Sequence, residues 1–161
     1  MSYWSVRNRT AAPCFSGSES TVRADRHDLI FLVQMELRLS LRPRVLLADD
    51  YPDMVKAVSR LLALDCEIVG NVVDGSALLE AAQRLQPDVI VLDVNLPNVQ
   101  SLEACREIRR VNPTTKVIMF TAMADPATSQ AFLGAGASAF VSKLASEDLL
   151  STIKRLCIDE G

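Results

Sequence analysis

A chain of 161 residues, of which 49% are hydrophobic and 23% charged, can bury the core of one globular domain and leaves no room for a large second domain. The net charge of −3 is unevenly spread, because residues 1–42 hold six arginines against four acids while residues 43–161 hold eleven bases against sixteen acids. The acidic larger part argues against general nucleic-acid binding, which needs a basic surface to neutralise phosphates.

The first 42 residues have the composition of an N-terminal extension. Residues 1–27 mix Ser, Arg, Thr, Ala and Pro without periodicity, which is typical of disorder. Residues 29–33 are apolar, but this run is far too short to span a bilayer and lacks the small-residue cleavage site of a secretory signal. We therefore predict a disordered extension over residues 1–42 and a domain over residues 43–161, in a cytoplasmic protein that does not contact membranes.

The extension should be dispensable for folding. Its polar, aperiodic composition cannot bury enough apolar surface to offset the entropy of ordering the chain. A chain that begins at Met35 should therefore keep the free energy of unfolding of the full chain, measured by urea denaturation. Loss of several kcal/mol on this deletion would contradict the prediction and would imply that residues 29–33 dock on the domain.

From Arg44 onward, apolar runs alternate with amphipathic segments, a pattern that predicts five βα units. Strands that are continuously apolar need cover on both faces, which favours a parallel sheet with helices on each side. The runs are VLLA at 45–48, CEIVG at 66–70, VIVL at 89–92, KVIMFTA at 116–122 and SAFVS at 138–142.

The intervening segments repeat apolar residues at helical spacing, so each is predicted to be a helix with one face on the sheet. Pro52 and Pro126 suit the first turn of two of these helices. The predicted buried faces are Met54, Val58 and Leu61; Leu78, Ala82 and Leu85; Ala104, Ile108 and Val111; Ala127, Ala131 and Ala135; and Leu149, Ile153 and Leu156.

The four cysteines show no CxxC spacing. Cys66, Cys105 and Cys157 fall in apolar periodic segments, where small thiols commonly pack in a core. We therefore expect packing rather than a metal site or disulfides.

Polar side chains stand where the predicted strands end. Asp49 and Asp50 end the first strand, Asp93 ends the third, Thr121 ends the fourth and Lys143 follows the fifth. In an open α/β sheet, ligands bind at this carboxyl edge, where the strand order reverses. If the order is 2-1-3-4-5, the first and third strands are neighbours and their three acids converge.

Three convergent carboxylates repel one another unless a cation lies among them, and oxygen ligands with room for water suit Mg²⁺. The metal, the lysine charge and the threonine hydroxyl would together favour attack by a carboxylate on phosphorus, which predicts phosphoryl transfer onto Asp93. Taken singly, each residue has a commoner structural role. Adjacent acids usually form a turn and a helix cap, Thr121 would be a strand-surface residue and Lys143 a solvated charge.

The motifs LLADD, VIVLDVNLP, IMFTA and GASAFVSK follow one another in this order between residues 46 and 143, and the resemblance that they carry covers about residues 43–157. Together they resemble the receiver domains of bacterial two-component response regulators, of which the chemotaxis regulator is the minimal example. The resemblance implies a CheY-like (flavodoxin-like) α/β fold, with a doubly wound five-stranded parallel sheet of order 2-1-3-4-5 and five flanking helices. It also implies a response regulatory domain over residues 43–161.

The resemblance implies roles for the residues at the strand ends. Asp93 would be the phosphoacceptor. Asp50, Asp93 and the backbone carbonyl of Asn95 would bind Mg²⁺, with Asp49 as a supporting acid. Thr121 and Lys143 would contact the phosphoryl group.

The resemblance further implies a switch, in which Phe140 moves with Thr121, and a set of partners. The phosphoryl donor would be a histidine kinase or phosphotransfer protein, and the output would be contact with an unknown downstream protein. A homodimer through helix 4, strand 5 and helix 5 is also implied. The only reactions expected of the chain are its own phosphorylation and dephosphorylation.

The form GASAFVSK is most similar to receivers of the nitrate-regulator subfamily, which usually carry helix-turn-helix output domains. Here the sequence ends at Gly161, soon after the last predicted helix. We therefore expect a single-domain response regulator that has no output domain and does not bind nucleic acid directly.

Two positions depart from the family's pattern. Many receivers have Gly where this chain has Gln100 or Ser101, and many have Pro after the lysine, where this chain has Leu144. Neither change removes a chemical group. We therefore expect them to affect loop geometry and kinase docking more than phosphorylation.

Three alternatives come from other classes of protein. A haloacid dehalogenase phosphatase needs a second acid two residues after its nucleophile, where this chain has Asn95. A flavin-binding module needs a loop after the first strand that accepts phosphate, and the loop ADDYPDM is acidic. The third is a receiver-like interaction module that works without phosphorylation, which titration with a phosphate analogue would distinguish from a true switch.

Overall fold

The computed structural model of the chain describes residues 29–30, 33, 42–122 and 125–158. The chain divides into two compact units, residues 1–37 and 38–161. In the first unit the described residues are Leu29, Ile30 and Val33, which are helical and exposed. Most of the predicted extension lies outside the described residues, so its disorder and dispensability remain predictions.

Strands and α-helices alternate along the second unit, as the apolar runs predict. The strands are β1 (Arg44–Ala48), β2 (Glu67–Val72), β3 (Val89–Asp93), β4 (Lys116–Thr121) and β5 (Ala139–Ser142). The helices are α1 (Pro52–Leu62), α2 (Leu78–Leu85), α3 (Ser101–Val111), α4 (Pro126–Gly134) and α5 (Asp148–Ile158). Short 3₁₀ helices, Gly75–Ala77 and Lys143–Ala145, precede α2 and α5.

The five strands form one parallel sheet of order β2-β1-β3-β4-β5, which confirms the predicted fold class. The order places β1 directly beside β3, with Ala48 next to Leu92 in register. Their carboxyl ends therefore lie side by side, and the turn after β1 faces the end of β3.

Both faces of the sheet are buried, because successive strand residues point to opposite sides. On one face, strand residues such as Leu46 and Ile90 pack with α2, α3 and α4, and on the other, residues such as Val45 pack with α1 and α5. Leu46 and Ile90 are fully buried, and burial of one such side chain contributes roughly 1.5–3 kcal/mol. The sheet therefore holds the residues at its carboxyl edge on a rigid support.

Two predicted helical faces are wrong in detail. In α4 the structure exposes Ala127 and Ala131 and buries Phe132 with Ala135. Alanine is only weakly apolar, so the larger ring of Phe132 decides which face packs. In α1, Leu62 is fully buried while Leu61 is 36% exposed.

Cys66 and Cys105 pack in the core of the second unit, as expected of small apolar thiols. Cys66 lies in the core on the side of the sheet covered by α1 and α5, and Cys105 lies in the core on the side covered by α2, α3 and α4. Cys157 is half-buried. Burial raises the pKa of Cys66 to about 11, with a smaller contribution from the nearby Asp65. Cys66 is therefore protonated and unreactive at neutral pH.

The helices of residues 42–122 and 125–158 are short for a membrane. Each α-helix has eleven residues or fewer, whereas about 20 apolar residues are needed to cross the hydrocarbon core. No helix within these ranges is long and apolar enough to span a bilayer.

Candidate functional site

The structure brings three acids together at the carboxyl edge of the sheet. Asp49 and Asp50 follow β1, and Asp93 is the last residue of β3. One carboxylate oxygen from each of the three lies within 4.8 Å of the others. Asp49 and Asp93 are both 6% exposed, whereas Asp50 is open to solvent.

Asp49 is held by the turn between β1 and α1. Its N–H donates to the carbonyl of Val72 on β2 at 3.0 Å, which continues the pairing of the strands beyond Ala48. Its Oδ1 accepts a hydrogen bond of 2.9 Å from the N–H of Tyr51, so the carboxylate folds back on its own turn. The other oxygen, Oδ2, is buried and faces the cluster.

Asp93 is held by a donor on each of its carboxylate oxygens. The N–H of Asn95 donates to Oδ1 at 3.1 Å, and the ammonium of Lys143 donates to Oδ2 at 2.8 Å. Asn95 itself is exposed in the loop between β3 and α3. The carboxylate therefore has a fixed orientation at the end of a central strand.

Lys143 lies between the two buried acids. Its Nζ is 2.6 Å from Oδ2 of Asp49 and 2.8 Å from Oδ2 of Asp93, and it lies 5.8 Å from the centre of the Phe120 ring. Ser142 positions it, because the Ser142 hydroxyl caps the 3₁₀ turn by accepting from the N–H of Leu144 at 3.2 Å. One ammonium thus bridges the ends of β1 and β3.

The pKa of Lys143 lies above its ordinary value. Burial opposes the charged form, but hydrogen bonds and charge interactions with Asp49 and Asp93 more than offset that effect. Because the folded-state pKa is higher than that of the unfolded chain, these interactions contribute their full stability at pH values below the unfolded pKa. The contribution is lost only at alkaline pH, as the pH rises through the folded-state pKa.

The acidic cluster fits a divalent cation. Three carboxylates outnumber the single ammonium of Lys143, which leaves an excess of negative charge. Oδ2 of Asp49 is buried and lies 2.6 Å from the ammonium of Lys143, which it shares with Oδ2 of Asp93. An all-oxygen set with one exposed member, Asp50, suits Mg²⁺, which prefers oxygen ligands and keeps several waters.

Thr121 and Phe140 lie on the neighbouring strands. Thr121 ends β4, is 1% exposed and pairs in register with Ser142 of β5, next to Lys143. Phe140 lies two residues earlier on β5, is half-buried, and packs against Phe132 of α4 with ring centres 6.5 Å apart and planes at 48°. Thr121 is therefore at the same edge as the acids, and Phe140 connects β5 to α4.

Sequence reasoning missed the contacts that hold the β3–α3 loop. The amide of Asn98 donates to the carboxylate of Asp74, and this hydrogen bond is the main reason why the pKa of Asp74 is lowered. The N–H of Gly75 donates to the carbonyl of Pro97 at 2.9 Å. A Cβ on Gly75 would lie 2.1 Å from Cβ of Val99, so the two loops pack too closely for any larger residue.

The pair Asp74–Gly75 is a recognisable turn signal after β2. Nothing in that local signal identifies its partner, because the contacts to Pro97 and Asn98 form only after β2 and β3 have joined the sheet.

Comparisons with known proteins agree with this geometry. The model of the response regulator receiver domain family matches residues 45–154, more than half of the chain. A protein-glutamate methylesterase/protein-glutamine glutaminase of Nocardioides sp. is 39% identical over 108 residues, which cover 64% of this chain and 29% of that protein. The nitrate/nitrite response regulator protein NarP of Escherichia coli is 32% identical over 109 residues, which cover 66% of this chain and 51% of that protein.

Among solved structures, the response regulator domain of Thermotoga maritima CheB is similar to this chain with a TM-score of 0.67 and 28% identity, over 73% of this chain and 97% of that one. The chain spans about half or less of the length of the two curated relatives above. The family match, the sheet order and the relatives agree with the resemblance carried by the motifs. The chain therefore belongs to the receiver domain family of two-component response regulators.

Proposed function

We propose that the domain of residues 43–161 accepts a phosphoryl group on Asp93, in a Mg²⁺-dependent step, from a histidine kinase or phosphotransfer protein. The observation that carries this proposal is the fixed carboxylate of Asp93 at the end of a central strand, with Lys143 at 2.8 Å and two further acids within 4.8 Å. Phosphoryl transfer needs little from a protein beyond such positioning and charge stabilisation. The end of a central strand would supply the positioning, and Lys143 with a bound cation would supply the charge stabilisation.

In the proposed reaction, a carboxylate oxygen of Asp93 attacks the phosphorus of a phosphohistidine. The new O–P bond forms as the P–N bond of the donor breaks, and the imidazole leaves with the electron pair. Lys143 would neutralise charge on the phosphoryl oxygens as a point charge, and the hydroxyl of Thr121 would donate to one of them. Asp50, Asp93 and the carbonyl of Asn95 would hold Mg²⁺, which when bound supplies charge neutralisation.

We propose that the chain's own chemistry is limited to this transfer and to hydrolysis of the resulting acyl phosphate. The Nocardioides relative is called a methylesterase, but the match covers only 29% of it. That activity is a property of the relative.

The direct test is to incubate the protein with Mg²⁺ and acetyl phosphate and to measure its intact mass. We expect one added phosphoryl group, stable in acid and labile in base, and none when EDTA replaces Mg²⁺. A receiver-like module that works without phosphorylation would stay unlabelled and would show no Mg²⁺-dependent binding of beryllofluoride, a phosphate analogue. That result would favour the alternative.

The proposed output is a contact with a downstream protein through the surface of α4, β5 and α5, or with a second copy of the chain through the same surface. Phe140 supports this choice, because it links β5 to Phe132 on α4. We propose cytoplasmic action without direct binding to nucleic acid or membranes. The acidic balance of residues 43–161 supports the part of the proposal that concerns nucleic acid.

Thr121→Ala should weaken the switch and leave Asp93 phosphorylatable. Moving a two-state equilibrium from 1:99 to 99:1 takes about 5.5 kcal/mol, whereas one hydrogen bond to a charged group contributes about 1.5–3 kcal/mol. Thr121 alone is therefore insufficient, and Lys143 should supply much of the remainder. Beryllofluoride should change the NMR chemical shifts of amides in α4, β5 and α5. These changes should be smaller in the variant than in the unaltered chain, but they should not vanish.

Thr115→Ala is the matched control for this comparison, because Thr115 is buried like Thr121 but precedes β4, at the opposite end of that strand, where its hydroxyl donates to the carbonyl of Pro87 at 2.8 Å. Its beryllofluoride-induced shifts should equal those of the unaltered chain. Full-sized shifts in Thr121→Ala would count against a switch through Thr121.

A further inference from the structure

The hydroxyl of Ser101 makes hydrogen bonds to the backbone, separate from the contacts between the three acidic side chains and Lys143. Ser101 is the first residue of α3 and is 6% exposed. Its hydroxyl lies 2.7 Å from the carbonyl oxygen of Val94 and 3.3 Å from that of Asp93. The single hydroxyl proton is therefore directed mainly at Val94, across the loop that follows the proposed phosphoacceptor.

The peptide unit between Val94 and Asn95 is bound on both sides. Its carbonyl accepts from Ser101, and its N–H donates to Oδ1 of Asp93 at 3.1 Å. A peptide unit is planar and nearly rigid, so a bond that fixes the carbonyl also fixes the direction of the N–H. The Ser101 hydroxyl therefore acts on the Asp93 carboxylate through one rigid plane.

We propose that Ser101 is a positioning residue, which orients the Asp93 carboxylate and the adjoining Asn95 backbone for Mg²⁺ binding and phosphoryl transfer. This inference deepens the proposed function and rests on it. Glycine or alanine at this position has no hydroxyl to hold the Val94 carbonyl, so the serine adds a constraint that those residues cannot supply.

The tip of the same loop is anchored independently. Asn98 donates to Asp74, and the N–H of Gly75 donates to the carbonyl of Pro97. Loss of the Ser101 hydroxyl should therefore leave the loop in place. The effect should be confined to rotation of the Val94–Asn95 peptide plane.

The test compares Ser101→Ala with Ser151→Ala. The control removes a hydroxyl that also donates to a backbone carbonyl, that of Asp148 at 2.8 Å, but does so on the exposed side of α5. Amide exchange at Asn95 should accelerate in Ser101→Ala alone. Its Mg²⁺ dissociation constant, from NMR titration with the metal alone, should rise about threefold to tenfold, the range expected for one intramolecular hydrogen bond.

Phosphorylation kinetics distinguish poor orientation of Asp93 from weaker binding of Mg²⁺ as the cause of a slower reaction. At saturating Mg²⁺, the maximal rate with acetyl phosphate should still fall in Ser101→Ala, because Asp93 is less well oriented, while the KM for acetyl phosphate changes little. Ser101→Thr keeps the hydroxyl and should restore both the Mg²⁺ affinity and the rate. If Ser101→Ala does not fold, Ser101→Gly makes the same comparison.

Unchanged Asn95 exchange, Mg²⁺ affinity and rate in Ser101→Ala, with the unaltered chain phosphorylated, would overturn the role of Ser101 and leave the proposed function intact. Failure of the unaltered chain to accept phosphate would overturn the proposed function instead. In that case faster Asn95 exchange and weaker Mg²⁺ binding in Ser101→Ala would still support the positioning of Asp93.

Discussion

Asp93→Asn should abolish phosphorylation of the protein. The substitution keeps the shape of the side chain and its place at the end of β3, but the neutral amide is a very poor nucleophile toward phosphorus. With Mg²⁺ and acetyl phosphate, or with the cognate kinase, the unaltered chain should gain one phosphoryl group and Asp93→Asn should gain none. The intact mass of each protein, measured under neutral conditions, shows whether it carries the phosphoryl group.

Asp65→Asn is the matched control for this experiment. Asp65 precedes β2 at the opposite edge of the sheet, where its carboxylate pairs with Lys154 at 2.7 Å. This variant should be phosphorylated like the unaltered chain. If the label persists in Asp93→Asn, another group is the acceptor. If it appears in no variant, even with the kinase, the chain is better described as a receiver that binds partners without phosphorylation.

Much of the fold and part of the site could be predicted from the sequence, because the information is local. Continuous apolar runs require a sheet covered on both faces, and the strand order follows from the resemblance of four ordered motifs. Residues at the ends of parallel strands share an edge by geometry. The approach of Asp49, Asp93 and Lys143 to one another therefore follows from sequence position.

The errors and omissions have a common physical cause, which is dependence on contacts that each segment makes with a neighbouring element or loop. The predicted buried face of α4 is wrong because alanines differ too little in apolar area to select a face, and Phe132 packs against Phe140 on β5, outside the helix. The role of Ser101 depends on where the carbonyl of Val94 points. Neither contact leaves a periodic signal in the sequence.

Lys143→Met should lower the free energy of unfolding by about 2–3 kcal/mol in the absence of Mg²⁺, because it leaves two carboxylates close together without their shared cation. Methionine keeps most of the length and apolar stem of lysine, so lost packing contributes little. The side chains of Asp49 and Lys143 are 8% and 13% exposed, so the expected cost lies just below the range of about 3–5 kcal/mol for a fully buried pair. Urea denaturation with EDTA present measures the difference.

Lys154→Met is the control for loss of a lysine charge. Lys154 pairs with Asp65 at a similar distance, 2.7 Å, but the two side chains are 46% and 38% exposed. An exposed pair is worth about 0–1 kcal/mol, so this variant should unfold nearly as the unaltered chain does. Equal losses in the two variants would show that burial among the acids is not the basis of the Lys143 effect.

Mg²⁺ should stabilise Lys143→Met more than it stabilises the unaltered chain. A ligand that binds only the folded state adds stability that grows with its concentration relative to its dissociation constant. Removing the ammonium increases the negative charge at the cluster, so the metal should bind more tightly and return part of the lost stability. A Lys143→Met protein that Mg²⁺ does not stabilise would contradict the assignment of the three acids as a cation site.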